Sequence, residues 1–564
     1  MNYLKSTICL LLFFAVSGEA QKSSLPQIRQ NGEVKQLFVD GKPFIMLAGE
    51  LHNSSASSIE YMVPIWDRLS ALHLNTVIGT ASWELIEPEE GKFDFSLVDA
   101  QIKEARQRKM RLVLIWFATW KNAGSSYVPY WVKADRRRFP PMVLKIRSDG
   151  GLATYLAKSM EQQGTGPLTP FGKETLKADA RAFRALMKHL KEVDPQHTVV
   201  MMQVENEMGS VGDSRDRSSL AEAAWAAPVP TELMNYLAEH KSTLLPEMQK
   251  LWEKNGFKQE GSWEEVFGKD EWADEVFMAY YMGRYVNAIV TEGKAELNVP
   301  MYVNAWLGPS PKAELPGQWP SGGPVTGVMD IYRAAAPSID LFAPDIYSPD
   351  FKDICALYTR SGNPLFIPEA QDRVGNLFWA LGHYAALGWS VFGVEDLSPE
   401  GQVAQAYKLL SETLPQISEW QAAGKVNAIL VSEGDKPEPV ILGGYKITLT
   451  GGMGFAAQDT KADSGPEMAG GVSLGSRAMA NDKRPFAIVI NTAPDEFLFI
   501  GSNGDPNFMV ASGSGKVIIS SKDEGHYEHG TWIAGRRING DEVYSSGLPK
   551  AKIGMLKVRL VHIE

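Results

Sequence analysis

The sequence predicts an α/β fold, a (β/α)8 TIM barrel followed by a smaller C-terminal all-β sandwich. Three observations predict it. Eight short apolar runs alternate with helical periodicity between Lys42 and Ile417, the pattern of a parallel sheet closed by crossover helices. Each run stops abruptly in polar or aromatic residues, as barrel strands do where their C-terminal ends meet a site. Past Ala423-Gly424 the helical periodicity ends, and short Val/Ile/Thr/Tyr runs alternate with Gly-Gly, Ser-Gly, Asp-Pro and Asn-Gly turns, a sandwich pattern. An open doubly wound sheet would carry a Gly-rich phosphate loop after its first strand, and none is there.

Taken in order, residues 1–20 read as an export signal. Lys5 leads into the apolar core Ile8–Val16, and Gly18-Glu19-Ala20 supplies small residues at the cleavage point. Residues 21–424 are the expected barrel. Its strands end at Gly49-Glu50-Leu51-His52, Ala81-Ser82-Trp83-Glu84, Ala118-Thr119-Trp120-Lys121-Asn122, Glu205-Asn206-Glu207, Asn304-Ala305-Trp306, Asp345-Ile346-Tyr347, Pro368-Glu369 and Glu395-Asp396. Helices are expected at about 57–73, 95–108, 176–193, 275–295, 352–360, 377–387 and 398–417, with Pro64 kinking the first or moving its start. Insertions at about 123–176 and 210–272 interrupt the alternation, and residues 425–564 form the sandwich.

Composition narrows the function. Of 564 residues, 44% are hydrophobic and 22% charged, as in a globular chain of two or three domains. The net charge of −11, with no basic run, argues against nucleic acid as a partner. No segment after the leader has the length of a membrane span. Cys9 falls in the leader, so cleavage leaves Cys355 alone and no intrachain disulfide; an exported chain of this kind fits a bacterial periplasm or cell surface. His52 and His73 have no partner at metal-ligand spacing, so neither a metal nor another cofactor is expected.

The chemistry gathers at Thr198–Gly209, TVVMMQVENEMG, where an apolar strand runs straight into carboxylates and amides. Strand alternation puts Gln203, Glu205 and Glu207 on one face. Two carboxylates on one face are a site or a structural ion-pair cluster. Strand counting places them on the fourth of eight strands, and Glu369 ends the seventh, across the barrel mouth. Retaining glycoside hydrolysis uses such a pair, with carboxyl groups about 5 Å apart.

Gln203-Val204-Glu205-Asn206-Glu207 resembles the QVENE motif of glycoside hydrolase family 35 β-galactosidases, whose barrels carry Asn-Glu on strand four and Glu on strand seven. Gly49-Glu50-Leu51-His52, Leu74-Asn75-Thr76 and Trp83-Glu84 through Glu87-Pro88 are similar to further segments of that family. The third strand end departs from it. Trp116 to Asn122, with Tyr127-Val128-Pro129 and Trp131-Val132, looks like family 42 and a compact bacterial branch of family 35. The tail from His526 to Glu542 resembles that branch's C-terminal β-domain. The resemblance implies a retaining exo-β-galactosidase with Glu207 as acid/base, Glu369 as nucleophile and Asn206 on the sugar's 2-hydroxyl, acting on oligosaccharides or plant polysaccharide side chains.

Other strand-end residues are candidates for substrate binding, each with a structural alternative. Trp120 and Lys121 suit sugar hydroxyls, or a Trp packing the barrel top. Trp83 and Glu84 are similar, with Glu84 also fitting an ion pair. Glu50 suits ligand contact or a buried hydrogen-bonded role. Tyr347 suits hydrogen bonding to the nucleophile or wall packing. Arg536 to Glu542 is expected to be a turn flanked by Arg–acid pairs. Within enzymes the alternative is another retaining glycosidase, such as an arabinosidase, a fucosidase or an endo-acting hydrolase. Outside them it is a non-catalytic carbohydrate-binding barrel.

Overall fold

The computed structural model describes residues 24–432, 434–451, 481–513, 515–544 and 547–563. The expected leader, residues 1–20, lies outside them. Eight parallel strand positions form the barrel: β1 Met46–Glu50, β2 Thr76–Ser82, β3 Arg111–Lys121, β4 Val199–Asn206, β5 Met301–Trp306, β6 Leu341–Ile346, β7, and β8 Gly388–Phe392. β7 comes in two pieces, Phe366–Ile367 and Glu369–Ala370, split by Pro368. The first piece pairs with β8 (Phe366 opposite Gly388) and the second with β6 (Glu369 opposite Asp345). Proline has no N–H to give a ladder, so the strand changes partner there and the ring closes through it.

Eight helices follow the strands: α1 Ile59–Ala71, α2 Ser96–Gln107, α3 Lys173–Val193, α4 Glu271–Glu296, α5 Met329–Ala335, α6 Phe351–Tyr358, α7 Val374–Tyr384 and α8 Gln402–Ser411. α1 starts where the Ser58 hydroxyl accepts the Tyr61 N–H, and Pro64 lies inside it. The helical stretch expected over 398–417 breaks at Thr413, and Leu414–Ala422 restarts with Pro415 in its first turn.

Inside the ring, Met46, Ala48, Ile78, Val113, Ile115, Phe117, Val200, Met201, Tyr302, Ala343 and Phe366 make a packed core, as barrel interiors require. Leu37 and Val39, from the leading hairpin Gln27–Val39, join this cluster. The stretch after β4 folds as four short helices, Ser219–Trp225, Thr231–Glu239, Pro246–Lys254 and Trp263–Phe267. Its first residues are bound to their neighbours. Asp213 accepts the Lys145 N–H, Asp216 accepts the Val143 N–H, and Ser210 pairs with Ser321.

From Val426 the sheets are antiparallel. Six strands run in the order Val426–Leu430, Phe486–Ala493, Glu496–Ser502, Gly554–Ile563, Lys516–Glu528, Thr531–Ile538. A second sheet contains Val440–Leu442, Tyr445–Thr450 and Asp505–Val510, and Ile447, Leu449, Val489, Phe497, Phe499 and Val558 share one apolar cluster with it. Arg536 pairs with Glu524 and Glu542, and Arg537 with Asp523. These are the Arg–acid pairs expected there, and the chain turns at Asn539-Gly540, where the strand ends at Ile538 and the 3-10 helix Gly540–Tyr544 begins; His529-Gly530 joins the two strands of the hairpin. Among the described residues no helix is long and apolar enough to cross a membrane.

Candidate active site

β3 loses step with β4 before its end. Trp116 pairs with Val204 and Lys121 with Asn206, so residues 117–120 face Glu205 alone. Such a bulge frees backbone N–H groups that the ladder would have used. The Glu205 carboxylate collects two of them, accepting Trp120 N–H at 2.7 Å and Thr119 N–H at 3.2 Å. It also hydrogen-bonds Asp179 of α3, which accepts the Trp116 indole N–H at 2.9 Å and the Thr119 and Tyr285 hydroxyls. Burial, then the facing Asp179 charge, holds Glu205 well above the usual carboxylate range.

Simple alternation, which put Glu205 and Glu207 on one face, therefore fails. Glu205 (φ +62°) and Glu207 (φ +44°) both have left-handed backbone, and Glu205 turns to the helix side while Glu207 turns to the mouth. Two such non-glycine residues in three are strained, a cost that folds retain mainly at functional sites. The loop after β3 helps hold them. The Ala123 N–H donates to the Glu207 carbonyl at 3.1 Å, and the Asn122 amide donates to the Glu207 carboxyl.

Glu207 is buried, 7% exposed, at the mouth. Burial first, then the charge of Glu369, raises its carboxyl to about 7; Lys121 and a hydrogen bond with Asp345 pull the other way. Glu369, on the second piece of β7, accepts the Tyr347 hydroxyl. Glu50, buried at the end of β1, is raised well above its ordinary range by burial and then Glu369, against Lys121. Asn206 is buried beside them, and neither Oδ1 nor Nδ2 has a protein partner. A buried amide without partners beside two carboxyls is placed to bind a polar ligand.

The structure thus brings together Glu50, Lys121, Asn206, Glu207, Tyr347 and Glu369. Trp120 is fully buried, its ring edge-on to Tyr285 at 4.6 Å; its backbone N–H reaches Glu205, and its indole N–H has no protein partner. Trp83 is a correction. It is fully buried, gives its indole N–H to Glu87 at 2.9 Å and packs edge-on to Trp131 at 5.8 Å, so it is core and has no free face for a ligand. Glu84 is partly exposed and pairs with Lys133 at 3.0 Å, the structural alternative named for it. Three residues given no role from sequence belong to the site: Asn122, Asn304 and Asp345. Asn304 accepts the Glu207 N–H at 2.9 Å and donates to Asp345 at 2.7 Å. All three end strands, so the same signal that exposes Glu207 could have found them. Among the described residues no group of three His, Cys, Asp or Glu side chains could hold a metal.

Residues 61–275 match the model of glycoside hydrolase family 42, described as beta-galactosidase. The match contains Glu207 and ends before Glu369. Residues 403–548 match a domain of unknown function, DUF5597. A beta-galactosidase of Xanthomonas manihotis is 29% identical over 185 residues, 32% of this chain and 26% of that protein. The chain thus spans about a quarter of that relative's length. Among solved structures, the beta-galactosidase from the psychrophilic Marinomonas ef1 aligns with a TM-score of 0.42 at 13% identity, over 65% of this chain and 60% of that one. That from Bacillus circulans sp. alkalophilus gives 0.42 at 16%, over 66% and 57%. The catalytic domain of a beta-amylase from Paenibacillus polymyxa gives 0.40 at 11%, over 62% and 92%. The part of the barrel from residue 61 to 275 is thus similar to family 42, one of the two groups that the third strand end resembles.

Proposed function

We propose that the protein is a retaining exo-β-galactosidase that releases terminal non-reducing β-D-galactose from oligosaccharides or plant polysaccharide side chains. The observation that carries this reading is the pairing of Glu207, raised to about 7, with Glu369 across the mouth, next to the unpartnered Asn206 amide. Glu369 attacks the anomeric carbon, with the Tyr347 hydroxyl fixing its orientation. Glu207 protonates the leaving oxygen, then takes a proton from the water that cleaves the glycosyl-enzyme. Asn206 binds the 2-hydroxyl, while Lys121 and Glu50 serve the remaining hydroxyls. The beta-galactosidase relatives and the QVENE motif support galactose as the sugar, in a family 35 type of site with a family 42-like third strand. Cleavage after Ala20 and export to a bacterial periplasm or cell surface complete the reading, with residues 425–564 bracing the barrel.

An aryl glycoside panel with variants tests it. Glu369→Gln should abolish turnover of aryl β-galactosides. Glu207→Ala should spare strongly activated leaving groups and lose poor ones, because only the latter need the acid. Product anomers followed by NMR should show β-galactose first. Preferred turnover of arabinosides or fucosides would replace the sugar, and an initial α product would end the retaining mechanism.

A further inference from the structure

The reaction just described leaves Asp345 without a task. It sits on β6 opposite Glu369 of β7 and Trp306 of β5, 4% exposed. Its hydrogen bonds follow from one fixed donor. The Glu207 N–H can only donate, so the Asn304 atom 2.9 Å away is the carbonyl Oδ1, and Asn304 Nδ2 faces Asp345 Oδ2 at 2.7 Å. Asp345 Oδ2 is therefore an acceptor. Asp345 Oδ1 is buried and receives no N–H or O–H. The carboxyl also makes a hydrogen bond with the Glu207 carboxyl. Two carboxyls attract only with a proton between them.

The surroundings say which carboxyl keeps that proton. Glu207 from β4, Glu369 from β7 and Glu50 from β1 all face Asp345, and the Tyr302 phenol of β5, Tyr347 after β6 and Tyr358 of α6 are also within its field. Lys121 of β3 acts on Glu207 and Glu50, whereas the largest influences on Asp345 are burial and the three carboxyls. Burial and those three negative neighbours push Asp345 well above the usual range, with the single Asn304 N–H against them, whereas Glu207 has the Asn122 amide on its carboxyl and Lys121 beside it.

We propose that Asp345 is a positioning residue that stays a neutral carboxylic acid and donates a hydrogen bond to the acid/base Glu207. The inference rests on the acid/base reading of Glu207. Asp345 never gives up its proton. Its O–H stabilises the Glu207 carboxylate left once the leaving group has been protonated, and it holds that carboxylate in place while Glu207 takes a proton from water.

The test is the pH profile of kcat/KM on an aryl β-galactoside for Asp345→Ala and Asp345→Asn, with an infrared spectrum of the resting enzyme. Removing a donor to the Glu207 anion destabilises that anion, so Asp345→Ala should move the basic limb up by about half to one pH unit. Asparagine can accept from Asn304 and donate to Glu207. Asp345→Asn should therefore leave the limb in place and kcat within about threefold. Glu50 and Glu205 also hold protons, so the readout is the difference spectrum at neutral pH: wild type minus Asp345→Asn should show a protonated-carboxyl band. If Asp345 is ionised, both variants remove a negative charge and both limbs move down, and the difference spectrum shows no such band; either result overturns the proposal. So does an unmoved limb in Asp345→Ala. A basic limb that persists in Glu207→Gln refutes the acid/base reading instead, and the infrared band still decides the state of Asp345.

Discussion

At the scale of single residues, the pH behaviour is set by a contest over Glu207. Burial and the charge of Glu369 favour its proton, while Lys121 opposes them. A general acid works only while protonated, so kcat/KM should fall as pH rises past about 7. Lys121→Met removes the positive charge that steadies the Glu207 carboxylate, so the basic limb should move up, measured as log kcat/KM against pH on an aryl galactoside. An unmoved limb would mean that Lys121 does not face Glu207. The two carboxylates were legible in the sequence because an apolar strand that ends in Glu or Asn-Glu is conspicuous. Asn122, Asn304 and Asp345 carry the same signal, but their task is to hold other side chains, and that depends on pairwise geometry that no single strand reveals. Trp83 shows the converse. It ends a strand as Lys121 does, yet its ring is spent on Glu87 and Trp131, and a sequence does not tell a rim Trp from a buried one.

At the scale of elements, the β3 bulge governs where the chemistry can sit. It turns Glu205 away from the mouth and makes that carboxyl the cap of two orphaned N–H groups. Period-two alternation holds only along an unbroken ladder, and the bulge breaks it before Glu205. Glu205→Ala leaves the Thr119 and Trp120 N–H groups and Asp179 without their partner, and should cost roughly 3–5 kcal/mol of stability. Glu205→Gln keeps one acceptor and gains a donor toward Asp179, so it should cost about 1 kcal/mol. The sign of the pH dependence separates the two ideas of this residue. The folded chain keeps the Glu205 proton where the unfolded chain, with an ordinary pKa of about 4.3, has lost it, so this carboxyl costs stability as pH rises above that value. Glutamine does not titrate. The deficit of Glu205→Gln relative to wild type should therefore shrink between pH 5 and pH 8 in urea unfolding, and a deficit that grows over that window would show Glu205 to be ionised in the fold.

At the scale of the whole molecule, the barrel and the antiparallel sheets meet on α7, the helix that follows the strand carrying Glu369. Strand Val426–Leu430 lies so close that a Cβ on Gly382 would stand 2.6 Å from the Ala428 Cβ and 2.8 Å from the Asn427 carbonyl. Phe378 meets Phe486 at 4.9 Å, and Asp482 accepts the Gly375 N–H at 2.9 Å while pairing with Arg484. The turn composition past Gly424 made an all-β region legible, but not its seat, because a glycine inside a helix does not announce what packs on it. Gly382→Ala sets two effects against each other. Alanine favours the helix by roughly 0.5–1 kcal/mol, whereas forcing a methyl into a filled contact costs about 1–3 kcal/mol. Neither contact atom is the far end of a flexible side chain, so the packing term should win and the variant lose about 1 kcal/mol by thermal unfolding. Gly382→Leu leaves no room for the strand, so the sheets should melt apart from the barrel, at a lower temperature than in the wild type. Strain passed from α7 through Arg373 to Glu369 should also lower kcat on aryl galactosides more than it raises KM. A leucine variant that melts at the wild-type temperature with unchanged kcat would mean that the sheets do not rest on this helix.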